Sequence, residues 1–454
     1  MLNFKWLYPG LRVKRWVLVA GVGLFFLVAG LTLTFGITLL AYAEWSLTWF
    51  ILQTLGRLGS PLTGGIISAL GGLILLIWGL QQLTRSVVGV FIPEPRIGLL
   101  ETLYRRRYLE RGPRVVAIGG GTGLAVLLRG LKKYTRNLTA LVTVADDGGS
   151  SGRLRADLGI PPPGDVRNCL VALAETESLM EDLLNYRFQQ GAGLAGHSLG
   201  NLLLAAVTDL AGDFDRAIQE LSKVLALGGR VLPSSLTTVN LGAEFDDGTV
   251  VWGESKIPAV GKKIKRVFLQ PENCVPPQAA LEAIATADVI VIGPGSLYTS
   301  ILPNLLVPGV AEAVRRSPAL TFYVCNLMTQ PGETDGYTAA DHLQAIFDHC
   351  GAGLVDYIIV HSGPVSRSLR RRYQLQGASL VEIDPEAIKR LGVQLLRGWL
   401  IEESQVVRHH PERLARLILE EMHRYRRRRR SFWGVIGWHL LFPTGQKKNW
   451  PEGG

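Results

Sequence analysis

Cysteine is scarce in this chain of 454 residues, and its cysteines lie far apart. No two of them form a CxxC pair, which argues against a zinc site built on cysteines. We therefore expect reduced, mostly buried thiols in a cytosolic domain. The four cysteines are Cys169, Cys274, Cys325 and Cys350.

Charged residues are absent from two long stretches near the N-terminus. Residues 17–43 contain none over 27 positions, and residues 62–80 contain none over 19. A helix needs about 20 apolar residues to cross a bilayer, so both stretches predict membrane spans. The first is too long for the apolar part of a signal peptide, and a buried core helix is the alternative for the second. We predict a two-helix transmembrane hairpin within residues 1–81.

Basic residues flank this hairpin on both sides, whereas the connection at residues 44–61 holds only Arg57 and Glu44 as charged residues. Positively charged flanks stay on the cytoplasmic side of a membrane. Both termini and everything after residue 81 are therefore expected in the cytoplasm, with the protein a multi-pass protein of the plasma (inner) membrane. The flanking residues are Lys5, Arg12, Lys14 and Arg15 before the first span, and Arg85, Arg96, Arg105, Arg106 and Arg107 after the second.

The net charge of +10 is concentrated at the two ends of the chain. Residues 1–114 hold twelve Lys and Arg against four Asp and Glu, and residues 424–454 hold eight against one. Residues 115–423 instead hold 28 basic against 33 acidic residues. A nucleic-acid enzyme would line its globular surface with basic groups, so that class is disfavoured. Basic ends favour contact with an anionic inner leaflet, worth about 1 kcal/mol per basic residue near the surface.

The two basic ends have the composition of membrane-surface segments. Residues 82–113 are predicted to form a juxtamembrane linker with an interfacial helix near residues 97–110. The C-terminal tail, residues 424–454, begins with six arginines in seven positions and continues with tryptophan and phenylalanine among apolar residues. Aromatic residues beside an arginine run favour membrane contact over a solvated tail or a nucleic-acid partner.

Residues 114–423 alternate short β-branched runs with longer helical ones. Buried strands are predicted at "RVVAIGG", "LTALVTVADD", "ADVIVIGPGS", "ALTFYVCNL" and "VDYIIVHSG". Continuous apolar strands bounded by helices indicate a parallel sheet covered on both faces. We predict a doubly wound α/β domain, with residues 231–270 as an inserted β-meander or hairpin because they are turn-rich and lack a long helix.

Four glycines in five residues, "GGGTG" at 119–123, separate the first predicted strand from a helix. Glycine lets the backbone turn sharply and approach a ligand closely, and the amides that open the helix favour an anion such as a pyrophosphate. The spacing GxGxxG of dinucleotide-binding turns is absent, so a tight turn without a ligand is the alternative.

Two adjacent carboxylates, Asp146 and Asp147, follow the second predicted strand. At the carboxyl edge of an open sheet they could hold Mg²⁺, accept a ribose hydroxyl or act as a general base, and an Asx turn with a helix cap is the alternative. The Gly/Ser run that follows, including Gly149 and Ser150, offers amides and hydroxyls to phosphate oxygens.

Four further polar loops are expected at the same edge. Asp165 opens a helix after three prolines and could simply cap it. Asn201 lies in "GHSLGN", where no strand–elbow pattern supports a serine nucleophile. Gly295 and Ser296 follow a later strand, and Asn326 follows the next. Polar loops that converge on one crevice are together stronger evidence for a ligand site than any one of them.

These blocks together resemble one protein family. The bacterial gluconeogenesis-factor family, within the 2-phospho-L-lactate transferase-like (CofD-like) superfamily, has close counterparts of "IGGGTGL", "VTVADDGGSSGRLR", "PPPGDVRNCLVALAE", "GHSLGNLLLA", "IPAVGKKIKRVFL", "DVIVIGPGSLYTSILPNLL" and "CNLMTQPGETDGYTAADHL". The resemblance covers about Arg114 to Glu420. The N-terminal hairpin and the arginine-rich tail fall outside the family's compact cytosolic pattern.

The resemblance implies a Rossmann-like core that binds a nucleotide diphosphate. Members of the gluconeogenesis-factor type are associated with UDP-sugar binding and with cell shape or wall synthesis. The transferase branch moves a phospho-lactyl group between a nucleotide diphosphate and a deazaflavin, with Mg²⁺. Carried over by motif, the phosphate would be held by Gly120, Gly121, Thr122 and Gly123, the sugar or metal would lie at Asp146 and Asp147, and the pocket would be lined by Asn201, Ser296 and Asn326.

The block "VVRHHPERL" resembles the end region of the same family. There Arg408 would clamp the diphosphate, and a surface arginine is the alternative. We favour a membrane-tethered sensor of UDP-GlcNAc-like ligands that acts on cell-wall synthesis proteins, and leave an enzymatic role open. A Mg²⁺-dependent transferase is the second hypothesis and a nicotinamide enzyme the third. No nucleic-acid partner is expected, and a homodimer is the commonest default.

Overall fold

The computed structural model describes residues 13–35, 53, 61–91, 109–175, 178–403 and 407–435. The chain divides into two compact units, residues 1–106 and 107–454. The interfacial helix expected near residues 97–110 lies outside the described residues except for its last two positions, and residues 436–454 of the tail lie outside them as well.

Two helices form the described part of the N-terminal unit, α1 (Val13–Phe35) and α2 (Pro61–Phe91). Glycine lets them approach closely, because a Cβ on Gly72 would overlap the main chain at Leu27. The hydroxyl of Ser68 also donates a hydrogen bond to the carbonyl of Phe26, at 3.4 Å. Small residues at the contact are typical of helices that pack inside membranes.

One helix within the described residues is long and apolar enough to cross a membrane, namely α2 over Gly65–Gln82. Helix α1 contains a shorter apolar stretch, Gly21–Leu31, and residues 36–43 of the predicted first span lie outside the described part. The structure therefore contains the two packed helices, while a hairpin that crosses the bilayer twice stays a prediction.

The large unit is built from strands and helices that alternate along the chain. Its described strands are β1 (Val115–Gly119), β2 (Leu138–Val142), β3 (Arg230–Pro233), β4 (Asn240–Phe245), β5 (Val250–Trp252), β6 (Ile264–Gln270), β7 (Val289–Ile292), β8 (Leu320–Val324), β9 (Tyr357–His361), β10 (Gln394–Gly398), β11 (Ile401–Glu403) and β12 (Val407–His409).

The helices of the large unit pack against its sheets and against one another. They are α3 (Gly121–Leu131), α4 (Gly149–Leu158), α5 (Gly164–Leu173), α6 (Ser178–Asn185), α7 (Leu199–Ala211), α8 (Phe214–Val224), α9 (Gln278–Thr286), α10 (Leu302–Leu305), α11 (Val310–Arg316), α12 (Ala339–Cys350), α13 (Arg367–Leu375), α14 (Pro385–Arg390) and α15 (Pro411–Val435), with a 3₁₀ turn at Pro258–Val260 and a π-helical turn at Leu297–Ile301.

Seven strands form one sheet in the order β10-β9-β8-β7-β1-β2-β3. Every neighbouring pair is parallel, and β1, β2, β7 and β8 are buried along their whole length. Strands buried on both faces read as continuous apolar runs, which is why the sequence pattern predicted this sheet correctly. The order reverses at β1, since β2 lies on one side of it and β7 on the other.

A small antiparallel sheet, in the order β5-β4-β6, interrupts the alternation. It confirms the predicted β insertion, but the predicted start at residue 231 is wrong. Strand β3 belongs to the large sheet, because Arg230–Pro233 pairs in parallel with β2. The predicted second strand is also too long. It ends at Val142 rather than at Asp147, at the level where its neighbours Gly119 and Pro233 end.

The last helix, α15, runs through the predicted domain boundary at residue 424 without a break. Its inner face is held by the core, where Leu414, Ile418 and Met422 are buried. The first arginines of the predicted tail therefore continue a helix that is already packed on the domain.

Candidate functional site

A cavity of about 730 Å³ lies at the carboxyl ends of β1, β7 and β8. This is the point at which the strand order reverses, where open α/β sheets bind ligands. Polar residues from several loops face it, together with apolar ones from α3 and α13. The polar and glycine residues that line it are Gly120, Gly121, Thr122, Gly123, Glu254, Gly295, Ser296, Thr299, Ser300, Asn326, Thr329, Gln330, Glu333, Gln376, Arg408 and His409.

The first glycine turn supplies unpaired main-chain donors. Gly121 has a φ of +63°, which favours glycine, and its amide, the first of α3, is accepted by Asp165. The first amides of a helix have no partner inside the helix, so at Thr122 and Gly123 they are left to a ligand. A Cβ on Gly123 would lie 2.5 Å from the carbonyl oxygen of Pro294, so only glycine allows this turn to touch the next one.

The second turn follows β7 and is fixed by side-chain hydrogen bonds. The Ser296 hydroxyl accepts a bond from the Thr299 amide at 3.2 Å and donates to the carboxylate of Glu333. Asn304, which is fully buried, donates to the carbonyl of Gly119 at 2.9 Å. The amide of Asn304 thus ties the helix after the second turn to the end of β1, a role that nothing in its surrounding sequence indicated.

Three acidic residues lie at or beside the cavity: Glu254 and Glu333 line it, and Asp165 lies next to the first glycine turn. Burial raises the pKa of Asp165 to about 7, and the nearby Asp146 raises it further, while the Gly121 amide and Arg167 oppose the shift. Burial also raises the pKa of Glu254 to about 7, with Asp146 adding to it. The pKa of Glu333 is raised by burial too, against hydrogen bonds that include the one from Ser296.

Sequence reasoning missed Glu254 and left open whether Asp165 only caps a helix. Asp165 is not a helix cap, because Pro163 occupies that position and makes no side-chain cap bond. Asp165 instead accepts the Gly121 amide, next to the first turn. Glu254 comes from the insertion, where the motif "WGES" carries no recognisable local signal. His409 was missed as well, and burial lowers its pKa to about 4.

The two predicted carboxylates, Asp146 and Asp147, bind different partners and point in different directions. One oxygen of Asp146 accepts the Gly148 amide at 2.9 Å, and its charge acts on Asp165 and Glu254. Asp147 accepts the Ser255 amide at 2.8 Å and lies against the insertion. Neither residue lines the cavity.

A divalent cation would fit between Asp146 and Asp165 better than between Asp146 and Asp147. Mg²⁺ takes carboxylate oxygens, and Asp146 with Asp165 offers two groups whose mutual repulsion such an ion would relieve. Asp147 is directed away from them. Within the described ranges, no group of three or more His, Cys, Asp or Glu side chains has the arrangement of a metal site, so further ligands would have to come from a bound phosphate or water.

Three other predicted residues, Gly149, Ser150 and Asn201, lie at the starts of α4 and α7. Ser150, near the start of α4, is 2.9 Å from Nδ1 of His197 and accepts a bond from the Asn201 amide at 3.1 Å. All three side chains are buried, and Gly149, with a φ of +50°, makes the turn before them. Of the thirteen predicted site residues, eight line the cavity. The other five lie outside the lining: Asp146 and Asp147 follow β2, Gly149 and Ser150 begin α4, and Asn201 lies in the first turn of α7.

Replacing the buried carboxyl of Asp165 should change the pH dependence of stability. The pKa of Asp165 in the folded protein, about 7, exceeds the ordinary value of roughly 3.9, so the folded state binds more protons than the unfolded state between these values. The free energy of unfolding therefore loses a few kcal/mol as pH rises from about 4 to 7, and Asp165→Asn should recover it at pH 7.5.

Urea unfolding at pH 5 and at pH 7.5 measures this difference. The exposed Asp182→Asn is the matched control and should behave like the wild type. If unfolding of Asp165→Asn and of the wild type depended on pH in the same way, the raised pKa of Asp165 would be contradicted. Millimolar Mg²⁺ should stabilise the wild type at pH 7.5, and Asp165→Asn much less, if a cation binds between Asp146 and Asp165.

The chain is similar to a known protein family and to several of its members. The family described as 2-phospho-L-lactate transferase CofD matches residues 115–401. The gluconeogenesis factor of Halalkalibacterium halodurans is 59% identical over 307 residues, which cover 67% of this chain and 95% of that protein. The gluconeogenesis factor of Bacillus subtilis is 52% identical over 309 residues, 68% of this chain and 98% of that one.

The N-terminal unit has counterparts in some relatives and not in others. A relative from Nostoc sp. is 47% identical over 420 residues, 92% of both chains, so the match extends into the N-terminal unit. A crystal structure of a Bacillus halodurans protein is 58% identical with a TM-score of 0.67, and covers 68% of this chain but all of its own. That relative folds without the N-terminal unit. The chain thus belongs to the gluconeogenesis-factor family, within the CofD-like superfamily.

Proposed function

We propose that this protein binds a nucleotide diphosphate-sugar of the UDP-GlcNAc type while tethered to the membrane, and that it regulates cell shape and cell-wall synthesis from the cytoplasmic side. The observation that supports this most directly is the cavity in which two glycine turns meet at the switch point of the sheet. Its volume, about 730 Å³, lies within the range of small-molecule sites.

The chemistry of the cavity suits the two parts of such a ligand. The free amides of the first turn and the guanidinium of Arg408, which is exposed at the rim, offer donors to a diphosphate. The carboxyl groups of Glu254 and Glu333 offer acceptors to sugar hydroxyls. With its pKa near 7, Glu254 also donates when protonated, which lessens its repulsion of the phosphates.

Binding of UDP-GlcNAc tests the ligand. Calorimetry on the full chain in detergent should give saturable heat, and Arg408→Gln should weaken binding roughly 10- to 100-fold, the value of one charge-assisted hydrogen bond. Arg390→Gln, which removes an exposed arginine of α14, should leave the affinity unchanged. The proposal is wrong if millimolar ligand gives no heat with the wild type.

Reporter fusions test the membrane tether. A reporter inserted after residue 50 should lie outside the cytoplasm, and one at the C-terminus should lie inside, because the basic flanks of both apolar helices stay in the cytoplasm. The full chain should sediment with membranes after washing at high salt. Cytoplasmic signals from both reporters would contradict the hairpin, even if the chain sediments.

A transferase of phosphate-linked groups is the second candidate, and the buried carboxyls with pKa values near 7 favour it. An acceptor hydroxyl would form a new P–O bond to the transferred phosphorus. The P–O bond from that phosphorus to the bridging oxygen of the diphosphate would break, and the bridging oxygen would leave with the mononucleotide. The acceptor proton would pass to a carboxylate such as Glu254. Mg²⁺ at Asp146 and Asp165 would neutralise charge on the phosphates.

Release of mononucleotide from nucleotide diphosphate donors distinguishes the two candidates. Turnover should need Mg²⁺, and Asp146→Asn should reduce it at least about 100-fold if Asp146 helps to hold the ion. Asp182→Asn is the control for loss of one exposed carboxylate. Tight binding of UDP-GlcNAc without release, with every acceptor class tried, would favour the binding protein over the enzyme.

A further inference from the structure

The N-terminal ends of the strands form the edge of the sheet opposite the cavity. Here Arg114 precedes β1 and Asp288 precedes β7. The main-chain amide of Arg114 donates to Asp288 at 2.8 Å, and its guanidinium lies 3.7 Å from the same carboxylate. Arg426 of α15 binds the other oxygen of Asp288 at 2.7 Å. The start of the domain and the arginine run of α15 therefore lie at one edge.

The arginine run is held in place by the rest of α15. Because Leu414, Ile418 and Met422 are buried, the helix cannot swing away from the domain without exposing them. The side chains of Arg426, Arg427 and Arg428 are exposed. Three adjacent cations at a fixed place on a folded domain are a surface feature, in contrast to the flexible tail that the sequence pattern allowed.

Two hollows extend the basic surface along this edge. One, of about 450 Å³, is lined by Arg114, Asp288 and Arg426. The other, of about 400 Å³, shares Arg114 and adds Arg136 and Arg230. Within the described residues, the Nε atom of Arg136 is buried without a hydrogen-bond partner. Both hollows are large enough for a phosphate group.

We propose that this basic edge lies on the anionic cytoplasmic leaflet and that lipid phosphates contact Arg114, Arg230 and Arg426–Arg428. The proposal rests on the membrane tether of the proposed function and adds the orientation of the domain. The chain enters the domain at this edge, through Leu109–Arg114. The ligand cavity, at the other edge of the sheet, then opens away from the membrane.

Charge and connectivity favour a membrane over nucleic acid as the partner. Basic residues near an anionic leaflet contribute about 1 kcal/mol each, whereas a nucleic-acid protein places its cations across the globular surface. Residues 115–423 have an excess of acidic residues. A second arginine group, Arg370–Arg372 on α13, lies at the opposite edge, after the carboxyl end of β9, and serves as an internal control.

Vesicle sedimentation tests the orientation. The protein used is residues 107–454, since the Bacillus halodurans relative shows that a chain without the N-terminal unit folds. The test vesicles contain phosphatidylcholine with about one phosphatidylglycerol in three lipids, and the control vesicles contain phosphatidylcholine alone. Binding should require the anionic lipid and should weaken as the salt concentration rises. The triple variant R426Q/R427Q/R428Q should bind on the order of 100-fold more weakly, about 1 kcal/mol per residue.

The matched variant R370Q/R371Q/R372Q removes the same charge from the other edge and should bind vesicles like the wild type. Equal weakening in both variants would overturn the orientation, because net charge alone would then explain binding. Absence of anionic-lipid dependence would overturn it too, as would preferred binding to a duplex DNA added as competitor. Thermal melting of each variant confirms that the exposed substitutions leave the fold intact.

Failure of this proposal can be told apart from failure of the proposed function. Calorimetry with UDP-GlcNAc on the same samples reports the ligand site, and membrane sedimentation of the full chain reports the tether. If UDP-GlcNAc binding and membrane sedimentation are both retained while residues 107–454 do not bind anionic vesicles, the orientation is wrong and the nucleotide-sugar proposal stands.

Discussion

The contact between two glycine turns is the constraint on which the site depends. Gly123 touches the carbonyl of Pro294, and a Cβ on Gly120 would overlap the carboxylate of Asp165. Gly123 and Pro294 are far apart in sequence and meet because β1 and β7 are neighbours in the sheet. Any side chain at Gly123 would push the turns apart and open the floor of the cavity. The absence of Cβ atoms thus creates both the cavity and the free amides at its base.

In the proposed function, the acidic residues favour a ligand that carries more than a phosphate group. Buried carboxylates repel an anion, and their raised pKa values record the cost of keeping them there. A polar ligand with hydroxyl groups offsets that cost, whereas an isolated phosphate does not. The combination of free amides on one turn and carboxyls on the facing loops therefore matches a ligand with an anionic part and a hydroxyl-rich part.

The two edges of the sheet differ in chemistry, and one helix connects them. Strand β12 brings Arg408 and His409 to the cavity, α15 begins two residues later at Pro411, and its arginines end beside Asp288 at the opposite edge. Packing of Leu414, Ile418 and Met422 fixes this course. In the proposed orientation the same helix would hold the rim of the ligand site at one end and face lipid phosphates at the other.

The sequence by itself determined the parallel sheet, the small insertion and most of the cavity wall, because apolar strands and glycine turns are local signals. It also led to the expectation that Ser296 and Asn326 share one edge, since loops after parallel strands do so, and both line the cavity. Only the tertiary structure decided that Asp146 faces Asp165 while Asp147 faces Ser255, and that Glu254 reaches the cavity from the insertion. Side-chain direction and contacts between distant segments depend on how the layers pack, and no periodicity along the chain records that packing.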